Sequence, residues 1–325
     1  MLSRVANSIY WLSRYVERAE NVARFLDVKF NLALGKGKPI REQWAPLVAI
    51  TGDQSTFDEL YDEPTRKNVL EFLTVNRQNP NSIASCIELA RENARSIRDV
   101  VPVCIWEQLN TFYHQIQETQ LSDLDDPSRF CEQVKLTSHV IDGMIESTMI
   151  HGEQWHFTRL GRFIERADKT SRIVDVQYYL LLPTPEDVNS AIDVIRWSSL
   201  LKSATALTTY RQLYGNIVPI QVAEFLILDN AFPRSMHFCV MHAQASLQAI
   251  AGTTSGDFRF RSEQLLGRLR SDMDYTCIED IIETGLHEFI EDFQCRLNEV
   301  GESIYRDFFT IPPCPSRPRK TQLQY

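Results

Sequence analysis

Apolar residues recur every three to four positions over long stretches of this chain, and runs of alternating β-branched residues are absent. That spacing marks one face of an α-helix, so the chain reads as all-α. The opening stretch shows it best: Ile9, Leu12, Val16, Ala19, Ala23, Leu26 and Phe30 are spaced 3, 4, 3, 4, 3 and 4 apart. The pattern predicts a first helix over about Leu2 to Leu34, ended by Gly35-Lys-Gly-Lys-Pro39. Further helices are predicted over 40–50, 54–62, 65–76, 81–100, 102–120 and 128–149. A second long helix runs from Glu153 to Leu182, stopped by Pro183 and Pro185, and others follow over 187–213, 219–229, 234–251, 259–272 and 276–309.

The two long helices share more than their length. Arg14-Tyr-Val-Glu-Arg-Ala-Glu-Asn-Val-Ala-Arg-Phe-Leu-Asp-Val28 recurs as Arg162-Phe-Ile-Glu-Arg-Ala-Asp-Lys-Thr-Ser-Arg-Ile-Val-Asp-Val176, with seven of 15 positions identical. The likeness continues downstream, where Glu71 to Ser82 aligns with Glu224 to Ser235 and Cys86 with Cys239. Such self-similarity predicts a duplicated multi-helix bundle with pseudo-twofold related halves, 1–150 and 151–310, in a single domain over 1–310. The Pro-rich basic segment 311–325 is expected to be disordered.

On a helical wheel the apolar arc of the first helix spans roughly 200°. Arg14, Glu17, Asn21 and Arg24 share the opposite arc, with Arg14–Glu17 spaced i,i+3 and Glu20–Arg24 spaced i,i+4. The second copy keeps both pairs as Arg162–Glu165 and Asp168–Arg172. One reading is a salt ladder on a wet face, each rung stabilising by about 0.2–0.5 kcal/mol. Arg18 does not fit that reading, because it falls inside the apolar arc, between Trp11 and Phe25. A buried guanidinium must stack on aromatic rings or find an acid, and Glu17 points about 100° away on the same helix. Packing of the two long helices about a pseudo-twofold axis predicts that Arg18 meets Glu165 and Glu17 meets Arg166. A second basic feature, Arg91, Arg95 and Arg98, lies at i, i+4 and i+7 beside Glu92 and Asn93, and the aligned stretch Met241 to Gln248 carries no arginine. It reads either as a solvated face or as a carboxylate or phosphate site.

Composition narrows the function classes. A net charge of −9 argues against a general nucleic-acid binder. No run of 18 apolar residues predicts a membrane span. The seven cysteines are widely spaced and odd in number, and no secretory signal opens the chain, so a reduced, cytoplasmic protein is expected. Gly-rich phosphate loops, Gly-x-Ser-x-Gly and His-Glu-x-x-His are all missing. His237 and His242 are five apart, and Glu283 with His287 is too small a set for a metal, so neither metal nor cofactor is expected.

The opening segment Met1 to Arg24, Ala90-Arg-Glu-Asn-Ala-Arg95, Trp155 to Asp168 and Phe232-Pro-Arg-Ser235 resemble the alpha-E domain family over about residues 1–310. That is a bacterial all-helical family named for its Glu-Arg motif, whose matching positions here are Glu17, Arg18, Arg91, Glu92, Asn93, Arg95, Glu165 and Arg166. The resemblance implies a fold and a context: such proteins tend to be encoded beside, or fused to, circularly permuted ATP-grasp ligases and transglutaminase-like proteins. It carries no catalytic residues.

The expectation is therefore an accessory helical protein of an ATP-grasp peptide-ligase system, docking on the ligase or holding its amino-acid or peptide substrate. The candidate binding residues are Arg14, Glu17, Arg18, Asn21, Arg91, Glu92, Asn93, Arg95, Arg98, Arg162, Glu165, Arg166, Asp168 and Arg172. Paired Arg and Glu side chains suit a zwitterionic ligand. Two alternatives stand beside this: an enzyme with Glu17 or Glu165 as general base, and a purely structural scaffold. The first needs a raised glutamate pKa, which neighbouring arginines oppose.

Overall fold

The computed structural model describes residues 1–33, 44–119, 127–181 and 191–310. Every regular element among them is helical. Residues before 150 contribute α1 (Ser3–Ala33), α2 (Ala45–Thr51), α3 (Gln54–Leu60), α4 (Arg66–Thr74), α5 (Ile83–Ser96), α6 (Val103–Glu118) and α7 (Pro127–Thr148). Those after it contribute α8 (Glu153–Leu181), α9 (Ala191–Ser203), α10 (Leu207–Tyr214), α11 (Pro219–Ile227), α12 (Met236–Ala251), α13 (Arg261–Tyr275), α14 (Ile278–Thr284) and α15 (Leu286–Ile304), with a π-turn at Tyr305–Phe309. Phe30's side chain, the two predicted helix stops after α1 and α8, and the 311–325 tail lie outside the described residues.

The two long helices form the axis of the molecule. Helix α1 packs on α8, α5 and α7; helix α8 packs on α12, α15 and α2. The stripe read from the sequence is the core of α1, with Ile9, Leu12, Val16, Ala19, Ala23 and Leu26 all buried. The two axes approach so closely that a Cβ on Gly161 would sit 2.4 Å from the Tyr10 carbonyl oxygen. Glycine at 161 is therefore what lets α1 and α8 touch, since real atoms do not overlap that far. Helices α5 and α12, which flank the axis, start alike. Ser82 Oγ accepts from Ser85 N at 3.1 Å and Ser235 Oγ from Phe238 N at 3.0 Å, the N-cap geometry that each Pro-x-Ser segment encodes.

Three boundaries depart from the periodicity. The stretch expected as one helix over 187–213 is two, α9 and α10, broken at Thr205, whose φ of 55° ends α9. That expected over 276–309 breaks at Gly285, with φ 100°, and its last turn widens into the π-turn. The π-turn folds the chain end back onto α1, with the Phe309 ring 5.3 Å from that of Tyr10. Helix α5 ends at Ser96, so Arg98 lies beyond it rather than on a helical stripe through 100.

Candidate functional site

Both crossed ion pairs form between α1 and α8. Arg18 Nε lies 2.6 Å from Glu165 Oε1 and its Nη2 lies 2.9 Å from Oε2. Arg166 grips Glu17 in the same bidentate way, at 2.9 and 2.7 Å. Reciprocal pairs of this kind do not by themselves establish a twofold axis, and the surroundings of the two glutamates differ.

The arc opposite the apolar stripe is not wet. Glu17, Glu20, Asn21 and Arg24 are buried, as are Glu165, Asp168 and Lys169. A helix packed on several neighbours buries its polar arc too, and can do so only if every charge there is matched. The expected i,i+3 rungs do not form. Arg14 reaches across to Glu165 at 2.8 Å instead of down to Glu17, and Arg162 turns to Glu146 at 2.6 Å and Asp142 at 3.4 Å on α7. The i,i+4 rungs Glu20–Arg24 and Asp168–Arg172 do form, at 2.5 and 3.0 Å.

Around Glu17 and Glu20 the decisive residue is Arg234, from the loop before α12. Its Nη1 is 3.1 Å from Glu17 and its Nη2 is 2.5 Å from Glu20. Asn21 Nδ2 adds a bond to Glu17 Oε1 at 2.9 Å, and His139 Nε2 lies 3.1 Å from Glu20. Oxygens of Glu17, Glu20 and Asp142 lie within 4.8 Å of one another, a set of hard donors. Arg24, Arg162, Arg166 and Arg234 already hold those three carboxylates.

Around Glu165 and Asp168 the added cation comes from the helix itself. Lys169 Nζ lies 3.7 Å from Glu165 and 3.1 Å from Asp168. Asn81, aligned with Arg234, accepts from Arg18 at 2.6 Å and donates to Asp53 at 2.6 Å. Its short side chain does not fill the space. A cavity of about 770 Å³ opens here, walled by Arg14, Arg18, Asp53, Asn81, Asp168, Lys169 and Arg172. Trp11 from α1, Asn298 and Gly301 from α15, and Tyr305, Arg306 and Phe309 from the π-turn also line it. The cavity's charged lining is five cations to three acids, counting Glu302.

Burial pushes carboxylate pKa values up, but here the guanidiniums win. Arg18 and Arg14 hold Glu165 well below the usual carboxylate range. Arg166 and Arg234 hold Glu17 below it, and Arg234, His139 and Arg24 hold Glu20 well below it. Asp142 is the exception: burial raises it despite Arg162. The aligned thiols Cys86 and Cys239 are both pushed up to about 12 by burial, so neither is a ready nucleophile. Glutamates held ionised this firmly are weak proton acceptors.

The network thus unites Arg14, Glu17, Arg18, Asn21, Arg162, Glu165, Arg166, Asp168 and Arg172. It does not include the other basic feature. Arg91 bonds Asn110 and Glu92 and lies over Tyr113 at 4.5 Å, Arg98 lies over Trp106 at 4.7 Å, and Arg95 pairs with Glu92 while 61% exposed. Asn93 bonds the Leu89 carbonyl of its own helix. None of these residues walls the cavity. Sequence reasoning missed Arg234, Asn81, Lys169, Asp53 and Asp142. The signal for the first two was available, because Pro80-Asn-Ser82 and Pro233-Arg-Ser235 align and differ in charge at their middle residue.

No helix among the described residues is long and apolar enough to cross a membrane. The chain is 21% identical to an uncharacterized protein of Mycobacterium bovis over 338 aligned positions, 95% of this chain and 37% of that protein. Uncharacterized proteins of two Mycobacterium tuberculosis strains align over the same shares at 21% and 20% identity. The chain therefore spans little more than a third of the length of these relatives. No solved structure matches it. A family described as a predicted alpha-helical domain with a conserved ER motif, Alpha-E, matches residues 1–309, a span that holds both Glu17-Arg18 and Glu165-Arg166. The chain belongs to the Alpha-E family.

Proposed function

We propose that this protein is a non-catalytic component of an ATP-grasp peptide-ligase system, holding an amino-acid or peptide substrate or docking on the ligase. The observation that carries the reading is the cavity beside Glu165: a polar, cation-rich space opens onto a network whose glutamates are locked in ion pairs. Its volume of about 770 Å³ is that of a small-ligand site. The lowered pKa values of Glu17 and Glu165 favour binding over general-base catalysis. The curated relatives carry the matching segment within a chain nearly three times as long, so there the unit has covalent company.

The test is ATP turnover with mixed amino acids by this protein alone, by a ligase encoded beside its gene, and by the two together. Turnover that rises only in the mixture is the expected result; turnover unchanged by mixing removes the ligase link. A structural scaffold is the second reading, favoured by the Glu17 side, where Arg24, Arg162, Arg166 and Arg234 hold the three clustered carboxylates.

A further inference from the structure

The cavity has an unmet need of its own. Arg172 spends Nε on Asp168, and Arg14 spends Nε on Glu165 and Nη1 on the Tyr10 hydroxyl. The two terminal nitrogens of Arg172 and Nη2 of Arg14 have no hydrogen-bond acceptor among the described residues. Both guanidiniums wall the cavity, with side chains 25% and 16% exposed. Gly52 gives the Arg172 guanidinium room to lie in the cavity wall: a Cβ there would sit 2.8 Å from Nη1, and its φ of +80° already favours glycine. Across the network, the aligned place of Asn81 is filled by Arg234, and the opening on that side, walled in part by the Glu20 partners Arg24 and His139, is smaller, at about 320 Å³.

From this geometry we infer that the cavity is an oxyanion site: Arg14 and Arg172 clamp a carboxylate or phosphate group of a small ligand, and Asn81 rather than arginine keeps the site open. Planar guanidiniums with free terminal nitrogens match either oxyanion. The aromatic part of the wall, Trp11, Tyr305 and Phe309, receives the rest of the ligand. The site deepens the substrate-holding reading but is tested on this protein alone, so a failed ligase assay leaves it standing and a failed binding assay does not touch docking.

The experiment is calorimetric titration of the full chain with four probes: the dipeptide alanyl-glutamate, its bis-amide, its N-acetyl form and inorganic phosphate. Binding by the free dipeptide and loss on amidation assign the site to carboxylates. Binding by phosphate and not by the dipeptide assigns the same site to phosphate-bearing ligands. N-acetylation leaves affinity unchanged for a pure oxyanion clamp. Arg172→Gln should weaken binding by at least ~10-fold, the loss of one or two charge-assisted bonds. Asn81→Arg, copying Arg234, should abolish it. Arg172→Gln is the independent check should Asn81→Arg not fold, as judged by circular dichroism. Failure of both the free dipeptide and phosphate to bind, a bis-amide that binds as tightly as the free dipeptide, or binding unchanged in Arg172→Gln overturns the inference.

Discussion

The Glu17–Glu20 cluster and the Glu165–Asp168 cluster solve one electrostatic problem with different parts. Each buries two carboxylates, each receives a bidentate arginine from the opposite long helix, and each needs one more cation. Around Glu17 that cation is Arg234, supplied by a loop, and the in-helix position holds neutral Asn21. Around Glu165 it is Lys169, supplied in-helix, and the loop position holds neutral Asn81. The charge is conserved across the exchange while the space is not. Beside the arginine arriving from the loop the opening is about 320 Å³, whereas beside the lysine lying along the helix it is about 770 Å³. Stability constrains the charge count of such a network, and the route by which the last cation arrives bears on how much room there is for a ligand.

The largest expected effect comes from removing an acid that both halves share. Glu165→Gln removes the buried negative charge that Arg14, Arg18 and Lys169 share, and breaking a buried pair costs about 3–5 kcal/mol. Thermal unfolding should show a large fall in Tm. Glu20 is as buried as Glu165, so Glu20→Gln should also hurt and cannot stand for an exposed rung. Glu302→Gln can, because its pair with Arg306 is about 70% exposed on both sides and such pairs are worth about 0–1 kcal/mol. Equal losses in Glu165→Gln and Glu302→Gln would mean that the crossed pairs are not what holds α1 to α8.

The exchange itself can be broken and remade. Arg234→Asn removes hydrogen bonds to Glu17, Glu20 and Asn21, and a loss of about 1.5–3 kcal/mol is expected in denaturant midpoints. Adding Asn21→Lys copies the Lys169 arrangement and should recover at least half of that loss. The double-mutant cycle reads the coupling directly, since the two sites share partners. A cycle that closes with no coupling, or in which Asn21→Lys makes matters worse, would show that the clusters are not interchangeable solutions.

A titration separates the same carboxylates from the rest. Glu17, Glu20 and Glu165 have folded pKa values lowered from the unfolded value of about 4.3. Their stabilisation is then fully present above that pH and is lost as pH falls from it through the folded values, because the unfolded state binds protons first. Stability should therefore drop on acidification below about pH 4.3, with a shallower slope in Glu165→Gln than in the parent. Identical acid slopes would place the acid sensitivity elsewhere.

Much of this was legible beforehand, and for a definable reason. The axis of α1 and α8 follows from periodicity, and the Arg18–Glu165 pair from a charge placed in an apolar arc with no partner on its own helix. The burial of Glu20 and Arg24 was not legible, because a helical wheel separates polar from apolar but cannot distinguish a wet polar arc from one packed against matched charges. Arg234 lies more than 200 residues from the acids it holds, and sequence spacing carries no such information. The break at Gly285 carried a signal in its glycine, whereas Thr205 adopts its positive φ with no residue-type warning. The arginine stripe misled by counting positions past a helix end: with α5 finished at Ser96, Arg98 is placed by Trp106, not by helical register.

The smallest expected effect tests where recognition sits. Arg95 is 61% exposed, pairs only with half-exposed Glu92 among the described residues, and lies outside the cavity wall. Arg95→Ala should therefore shift stability by no more than about 0.5 kcal/mol. It should also leave binding of alanyl-glutamate or phosphate as it is in the parent, under the conditions in which Arg172→Gln weakens it. Arg91→Ala should cost more stability, because its guanidinium lies over Tyr113 and bonds Asn110, yet it too should leave ligand affinity alone. Stability loss without affinity loss at Arg91, and neither at Arg95, would confine ligand recognition to the open cluster. Affinity falling as far in Arg95→Ala as in Arg172→Gln would move recognition to the α5 face, and the contrast between the filled and the open cluster would then describe folding alone.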